Sequence, residues 1–217
     1  MNKLICFDLD NTLVDSDKAH ILAYNEALEK LGFKKKNKNF LKKLFGMPHH
    51  KIARMTLPIY NEEISKKYLI EHDKILFDKT SKFVKPFPGI INTLKELKKN
   101  YDLAVLSNCN HKIILVSLKH AKIDKKLFKI IIGNDDVKHG KPYPDEVLKA
   151  EKLEHHEADF MVGDSIYDVL AGKRAKVKTI SVLTGNYSKN LLKKYHPDYI
   201  LKSVNEIPKI LKRINGN

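Results

Sequence analysis

Short runs of apolar residues rich in isoleucine and valine recur along the chain and alternate with segments of helical periodicity. Runs of this length and composition are typical of buried strands in a parallel sheet. The segments between them place apolar residues every three or four positions, as residues 90–97 do after Pro88-Gly89. The alternation predicts an α/β fold with a doubly wound, Rossmann-like parallel sheet. The predicted strands are 4–9, 103–107, 130–133, 160–163 and 179–183, with a weaker edge strand at 199–201.

The interval between the first and second predicted strands breaks this alternation. It runs from residue 10 to residue 102 without a strand pattern, and a helical period is visible in Ala19, Ala23 and Ala27. A connection of this length cannot be a single crossover helix. We therefore predict an inserted α-helical domain over residues 15–85, and a core formed by residues 1–14 and 86–217.

The composition is typical of a globular protein. Hydrophobic residues make up 42% of the chain and charged residues 31%. No apolar run approaches the roughly 20 residues that a bilayer span needs, and the first residues lack the apolar stretch of a secretory signal. These features predict a cytoplasmic protein without a membrane span. Cys6 and Cys109 lie in apolar surroundings and are predicted to be buried free thiols.

Lysine supplies nearly all of the positive charge. The chain has 41 lysines and arginines against 26 acidic residues, a net charge of +15, and its three arginines are Arg54, Arg174 and Arg213. Proteins that read nucleic acids favour arginine, so nucleic acid is a less favoured partner than the charge suggests. Residues 30–61 hold eight lysines, Arg54 and no acidic residue. This stretch either attracts anionic substrates or forms a solvated lysine surface.

Two acidic clusters follow predicted strands. Asp8 and Asp10 come after the first strand, and Asp164 and Asp168 follow the strand at 160–163. In open parallel sheets, ligands bind outside the carboxyl ends of the strands, and residues two apart in an extended chain point the same way. A single aspartate at such a position is usually a helix cap. Several carboxylates that converge on one edge instead predict an oxygen-rich site suited to Mg²⁺.

Polar residues near other strand ends complete this candidate site. Ser107 and Asn108 end the second core strand and offer hydrogen-bond donors to phosphate oxygens, and Lys141 stands in a turn between glycine and proline. Each residue alone is typical of a cap or a surface, but together with the acids they predict a phosphoryl-transfer site. The histidine pairs that match no metal-binding spacing, and that we expect at the surface, are His49-His50 and His155-His156.

The order of these motifs resembles that of the haloacid dehalogenase-like hydrolases, in the branch with a helical cap inserted after the first motif. Residues 8–12 resemble the DxDxT motif of that family, Ser107 its second motif, Lys141 its third and residues 163–168 its GDSxxD motif. The resemblance covers essentially the whole chain. It is closest to phosphoglycolate phosphatases and their β-phosphoglucomutase-like relatives.

The resemblance implies a role for each motif. Asp8 would attack phosphorus, and Asp10 would protonate the leaving oxygen and then activate water to hydrolyse the aspartyl-phosphate. Mg²⁺ would be held by Asp8, the backbone carbonyl of Asp10 and Asp164, with Asp168 binding directly or through water. Lys141 would also neutralise developing charge. The residues implied to bind phosphate or substrate are Thr12, Ser107, Asn108, Lys141 and, in the cap loop, Gly46.

The resemblance leaves alternatives for the reaction. A carboxylate at Asp10 favours phosphate esters, so we predict a Mg²⁺-dependent phosphatase of a small phosphorylated metabolite, as a monomer or homodimer. A sugar phosphomutase is the alternative, and a non-catalytic nucleic-acid-binding or regulatory module is the second alternative. One departure is Lys176, where relatives commonly carry glycine after a helix. A side chain at such a position costs about 1 kcal/mol.

Overall fold

The central sheet confirms the predicted fold class. The computed structural model describes residues 3–214 and 216. Residues 1–2, 215 and 217, which belong to the two ends of the predicted core, lie outside the described residues. Within the described chain, six parallel strands lie side by side in the order β5-β4-β1-β6-β7-β8. The strands are β1 Lys3–Phe7, β2 Val14–Asp15, β3 Lys85–Pro86, β4 Tyr101–Ser107, β5 Ile130–Gly133, β6 Ala158–Gly163, β7 Lys178–Val182 and β8 Tyr199–Leu201.

Helices cover both faces of this sheet, so its middle strands are apolar on both sides. In β1, Leu4 and Cys6 pack in one buried cluster, whereas Ile5 and Phe7 pack in the other. No helix among residues 3–214 is long and apolar enough to cross a membrane. The helices are α1 Asp17–Lys30, α2 Lys38–Lys42, α3 His49–Thr56, α4 Glu62–Ile75, α5 Ile90–Leu97, α6 His111–His120, α7 Asp145–Glu154, α8 Ile166–Arg174, α9 Lys189–Lys193 and α10 Ile207–Ile214.

The first strand is shorter than the prediction of residues 4–9. It ends at Phe7, because the carbonyl of Leu9 accepts hydrogen bonds from the backbone N–H groups of Leu13 and Val14. This closes a tight turn, in which Asn11 adopts the left-handed conformation at φ 59°. The chain therefore leaves the sheet at Asp8, its first acidic residue.

The inserted segment contains helices α1 to α4, as predicted, but the connections to it contain strands that the sequence analysis missed. Strands β2 and β3 pair antiparallel where the chain leaves the core and where it returns. Each has two residues, which is too short to produce an alternating pattern. The boundaries at residues 15 and 85 remain a prediction, although this ribbon brackets the inserted helices.

The inserted helices, which we call the cap, pack directly on the core. Tyr24 of α1 and Tyr68 of α4 are buried in a cluster that continues into the face of the sheet covered by α5 and α6. Cys6 and Cys109 are both buried and free, as predicted. Cys109 lies beyond the end of β4 rather than inside a strand.

Lys176 adopts the strained conformation that its position after α8 predicts. Its φ is 64°, in the left-handed region, and its backbone N–H donates to the carbonyl of Lys173. Glycine reaches this conformation without a steric penalty, whereas a residue with a Cβ atom does not.

Replacing Lys176 with glycine should therefore stabilise the protein by about 0.5–1 kcal/mol. The matched control is Lys173→Gly, the same change inside α8, which should destabilise by about 1 kcal/mol. Urea unfolding of both variants and of the wild type measures the two changes. Destabilisation by Lys176→Gly would contradict the expected strain.

Candidate active site

Three strand ends bring the predicted site residues together at one edge of the sheet. Asp8 follows β1, and its backbone N–H still donates to the carbonyl of Val162 in β6, at 2.8 Å. Ser107 is the last residue of β4, and Asp164 follows the end of β6. Because all three strands are parallel, their carboxyl ends meet at this edge.

The ammonium group of Lys141 lies at the centre of these strand ends. The side chain is only 2% exposed. It donates to Asp8 Oδ1 at 2.5 Å, to Asp168 Oδ1 at 2.7 Å and to the carbonyl of Leu106 at 3.0 Å. Burial alone would lower the pKa of Lys141, but the charges of Asp168 and Asp8 outweigh it and raise the pKa well above its usual value. The lysine is therefore a permanent buried cation.

Three buried carboxylates cluster at this point, and two of them, Asp8 and Asp168, contact Lys141 directly. Oxygen atoms of Asp8, Asp164 and Asp168 lie within 4.8 Å of one another. Burial raises the pKa of Asp8 to about 8, and the charges of Asp168 and Asp10 add to the rise, against the opposing effect of Lys141. Burial and the charge of Asp8 raise the pKa of Asp164 as well. The cluster thus carries more negative charge than Lys141 compensates, and hard carboxylate oxygens in this arrangement suit a divalent cation such as Mg²⁺.

Asp168 is held in place by the start of its own helix. Its Oδ2 accepts from the backbone N–H of Ser165 at 3.0 Å and from the Ser165 hydroxyl at 2.6 Å, forming a capping box at the start of α8. Its Oδ1 is already bonded to Lys141. Both oxygens therefore have protein partners, which favours the predicted contact of Asp168 with a metal through water over direct binding.

Two glycines leave the space that these carboxylates occupy. A Cβ atom on Gly163 would lie 2.2 Å from Cγ of Asp168, and one on Gly185 would lie 1.7 Å from Oδ2 of Asp164. Gly163 belongs to the GDSxxD motif, but the sequence analysis gave no role to Gly185. Its contact joins residues far apart in the chain, so no local pattern indicates it.

Asp10 has a different environment from Asp8, although only one residue separates them. Its Oδ1 lies 3.3 Å from His20 Nε2, and its Oδ2 accepts from the thiol of Cys109 at 3.4 Å. Burial would raise the pKa of Asp10. The hydrogen bond and charge of His20, with the hydrogen bond from the thiol of Cys109, outweigh burial and lower the pKa below its usual range. The protein thus drives the pKa values of two neighbouring carboxylates apart, a pattern found where two acids have separate roles.

Asp8 and Asp10 both face one cavity of about 50 Å³, which we call the site cavity. At roughly 10–15 Å³ for each water-sized probe, it has room for about four waters, or for a group the size of a phosphoryl group. Ser107, Asn108 and Lys141 also line it, as predicted for phosphate-binding residues.

Thr12 has different contacts from those expected of a phosphate ligand. Its buried hydroxyl donates to Asp8 Oδ2 at 3.0 Å and lies 3.5 Å from Asp164 Oδ1. The structure therefore shows Thr12 orienting a carboxylate. Its role as a phosphate ligand remains a prediction.

The cap loop closes the site cavity from above. Gly46 has φ 86°, and a Cβ atom there would lie 2.8 Å from Cβ of Ser165. The carbonyl of Gly46 is 3.5 Å from Nδ2 of Asn108, which also donates to the carbonyl of Lys141 at 3.1 Å. Gly46 thus brings cap backbone against the core within the cavity lining, as expected for a substrate-contacting loop.

The prediction that His49 lies at the surface is wrong. Its side chain is 12% exposed and lines the site cavity, whereas its neighbour His50 is exposed as predicted. His155 is also exposed, and His156 is partly buried.

Further residues of the site were missed because they come from the cap. His20 and Tyr24 of α1 line the site cavity. His20 shares the helical period of Ala19 and Ala23, and a histidine on a predicted buried face was a signal that the sequence analysis did not use.

The basic stretch of the cap contributes one lysine to a wider cleft beside the site cavity. This cleft of about 740 Å³ is lined by Lys51 from the cap and by Lys138 and Arg174 from the core. Arg54 lies elsewhere, with its guanidinium 5.5 Å from the centre of the Tyr60 ring. The cleft shares His49 and Asn108 with the site cavity, so the two spaces adjoin.

Comparison with known proteins places this geometry in a family. A model of the haloacid dehalogenase-like hydrolases matches residues 5–182, and the chain belongs to that family. It is 32% identical over 212 residues to pyrophosphatase PpaX of Oceanobacillus iheyensis, covering 94% of each chain. It is 31% identical over 221 residues to a phosphoglycolate phosphatase of Aquifex aeolicus, covering 96% of each.

A solved structure shows the same fold along the whole chain. The crystal structure of a predicted phosphatase from Clostridium acetobutylicum has a TM-score of 0.87 at 26% identity, and the match covers 98% of this chain and 99% of that one. The predictions of the family, the fold class and a hydrolytic enzyme are thus confirmed, and the names of the relatives support a phosphatase. They give no support to a non-catalytic module.

Adding one methyl group at Gly163 should disrupt the carboxylate cluster. Gly163→Ala forces Asp168 away from Ser165 and Lys141, and overpacking of this kind costs about 1–3 kcal/mol. Ser165→Ala is the contrast, because it removes a hydrogen bond without adding volume and should cost about 1 kcal/mol. Denaturant unfolding measures both. A Gly163→Ala variant as stable as the wild type would show that the cluster tolerates displacement.

Proposed function

We propose that the chain is a Mg²⁺-dependent phosphatase that hydrolyses a small phosphorylated metabolite through an aspartyl-phosphate on Asp8. The observation that carries the proposal is the buried contact of Lys141 with Asp8 and Asp168, beside the cavity that Asp10 lines. A nucleophile, a second carboxylate with a different pKa and a fixed cation thus face one small space. This combination suits phosphoryl transfer, which depends on positioning and on charge neutralisation.

The carboxylate cluster fits the proposed metal. Asp8 and Asp164 have raised pKa values because they are buried close together without enough positive charge, and a divalent cation would supply that charge. The residues that would hold it are Asp8, Asp164 and the backbone carbonyl of Asp10, with Asp168 through water. When bound, Mg²⁺ would neutralise charge on the phosphoryl oxygens and on Asp8.

Each protein group has a defined part in the proposed reaction. An oxygen of Asp8 forms a bond to phosphorus while the bond from phosphorus to the leaving oxygen breaks, and Asp10 passes to that oxygen the proton held in its contact with His20. Asp10 then takes a proton from water, whose oxygen attacks phosphorus and releases phosphate from Asp8. Lys141, Ser107 and Asn108 hold the phosphoryl oxygens during both steps.

The size of the site and the relatives support a small anionic substrate. The site cavity holds little more than the phosphoryl group, so the rest of the substrate would extend toward the cleft that Lys51, Lys138 and Arg174 line. Relatives at 31% and 32% identity are named phosphoglycolate phosphatase and pyrophosphatase. We favour a phosphoglycolate-like carboxylated phosphate ester, and pyrophosphate is the second candidate.

A panel of 2-phosphoglycolate, pyrophosphate and β-glucose 1-phosphate should identify the reaction. Phosphate release from 2-phosphoglycolate is expected, and isomerisation of the sugar phosphate without release would favour a phosphomutase.

Asp8→Asn and Asp10→Asn should each reduce turnover by at least about 100-fold, because loss of a nucleophile or a general acid cannot be offset by the other group. Asp15→Asn, an exposed neighbour, is the control and should remain active. Substantial turnover by Asp8→Asn would refute the covalent mechanism.

Mg²⁺ binding should release protons near neutral pH. The pKa of Asp8 in the metal-free protein is about 8, above its usual value of 3.8, so between these values the folded protein holds a proton that the metal must displace. The apparent Mg²⁺ affinity should therefore increase as pH rises toward about 8, by up to tenfold for each proton released and each pH unit. Calorimetric titration in buffers with different ionisation enthalpies measures the released protons. Mg²⁺ affinity that does not change between about pH 6 and pH 8 would contradict this linkage.

A further inference from the structure

A line of hydrogen-bonded side chains runs from the site cavity into the cap. Asp10 Oδ1 lies 3.3 Å from His20 Nε2, and His20 Nδ1 lies 3.2 Å from His72 Nε2. His72 Nδ1 then lies 2.8 Å from Asp73 Oδ1. We call these four residues the Asp–His–His–Asp chain. Of these four residues, only Asp10 takes part in the proposed reaction.

The hydrogen-bonding capacity of its members fixes where the protons lie. An ionised carboxylate only accepts hydrogen bonds, so Asp73 requires a proton on His72 Nδ1. Burial lowers the pKa of His72 to about 4, so the ring is neutral near pH 7 and its Nε2 has a free lone pair. That lone pair accepts from His20 Nδ1. The remaining nitrogen of His20 therefore faces Asp10, and their contact contains one proton, carried by either partner.

Packing prevents the imidazole rings of the Asp–His–His–Asp chain from rotating. His72 is fully buried, and the ring of Tyr24 stacks on it with centroids 3.8 Å apart at 20°. The rings of His20 and His72 are inclined by only 16°, as an in-plane hydrogen bond between them requires. Asp73 is fixed from its other side, because Asn110 of the core donates to its Oδ2 at 2.8 Å.

We propose that His72 and Asp73 are positioning residues for Asp10, and that they act by fixing the ring orientation and tautomer of His20. This inference rests on the proposed function, in which Asp10 is the general acid and base. The hydrogen-bond partner of one histidine nitrogen determines which of the two ring nitrogens carries a proton. Neither residue touches the site cavity.

The Asp–His–His–Asp chain also links Asp10 to the packing of the cap on the core. His20, His72 and Asp73 belong to α1 and α4, whereas Asp10 and Asn110 belong to the core. Both ends of the chain therefore cross from cap to core. Its contacts with Asp10 and Asn110 depend on the position of the cap on the core.

Two variants of His72 separate positioning from packing. In His72→Gln, the side-chain amide oxygen can still accept from His20 Nδ1. His72→Phe keeps a ring under Tyr24 but has no acceptor. Glycerol phosphate has a poor leaving group that needs a proton from Asp10, whereas p-nitrophenyl phosphate has a good leaving group that needs less help.

We expect His72→Phe to lower kcat for glycerol phosphate by about 10- to 100-fold with KM little changed, and to lower kcat for p-nitrophenyl phosphate much less. His72→Gln should recover most of the loss. The exposed His120, changed to Phe, is the control and should match the wild type. Equal losses on both substrates, no loss in His72→Phe, or no recovery in His72→Gln would overturn the proposal.

A second measurement tests the proton positions in the Asp–His–His–Asp chain without measuring activity. NMR spectra of protein with isotope-labelled histidine distinguish the two tautomers, and we expect the proton of His72 on Nδ1 and His20 protonated on Nδ1. A proton on Nε2 of His72 would overturn the proposal even in an active enzyme. A wild-type protein that releases phosphate from none of the substrates would instead refute the proposed function. Folding of each variant is checked by its thermal melting temperature.

Discussion

The buried ammonium of Lys141 is the interaction on which the rest of the site depends. It draws Asp8 from the end of β1 and Asp168 from the start of α8 to one point, and it donates to the carbonyl of Leu106, the residue before Ser107 in β4. A buried lysine is tolerated only with partners of opposite charge, and a group of buried carboxylates is tolerated only with a cation. The attraction between Lys141 and these carboxylates therefore holds the strand ends together, and removing Lys141 would leave the buried carboxylates without its compensating charge.

One lysine does not balance three carboxylates, and this imbalance gives the site its chemistry. Burial and acidic neighbours raise the pKa of Asp8, whereas His20 and Cys109 lower the pKa of Asp10. The two residues lie on one loop and have the same side chain. Their surroundings alone separate them, so the difference in pKa between these two aspartates comes from tertiary structure rather than residue type.

The sequence predicted those parts of the molecule that local patterns encode. Runs of buried residues located the strands of the main sheet, and the position of Asp8, Asp164 and Lys141 near strand ends located the edge where they meet. The predicted end of the first strand lies two residues too late, because Leu9 is buried and apolar but belongs to a turn. Apolar character indicates burial, and it does not show where the backbone stops pairing.

The parts that were missed depend on contacts between distant segments. His49 and His20 are polar residues of the cap that become site residues only when the cap packs on the core. The helical period places His20 on the buried face of α1, but it does not show which residues that face meets. Gly185 accommodates Asp164 from another loop. The contacts of Thr12 with two carboxylates likewise require the β1 and β6 ends to be adjacent.

The short ribbon of β2 and β3 has a consequence for how such a protein can change over evolution. Val14 pairs with Pro86 and Asp15 with Lys85. The polypeptide therefore leaves the sheet domain and returns to it through two adjacent, hydrogen-bonded segments. Everything beyond these segments can be lengthened, shortened or exchanged without moving the loop that carries Asp8, since chain ends that lie close together tolerate insertion. Replacing the module would then change the residues that the cap adds to the site, such as His20 and His49, while Asp8, Lys141 and Asp164 keep their places on the sheet domain.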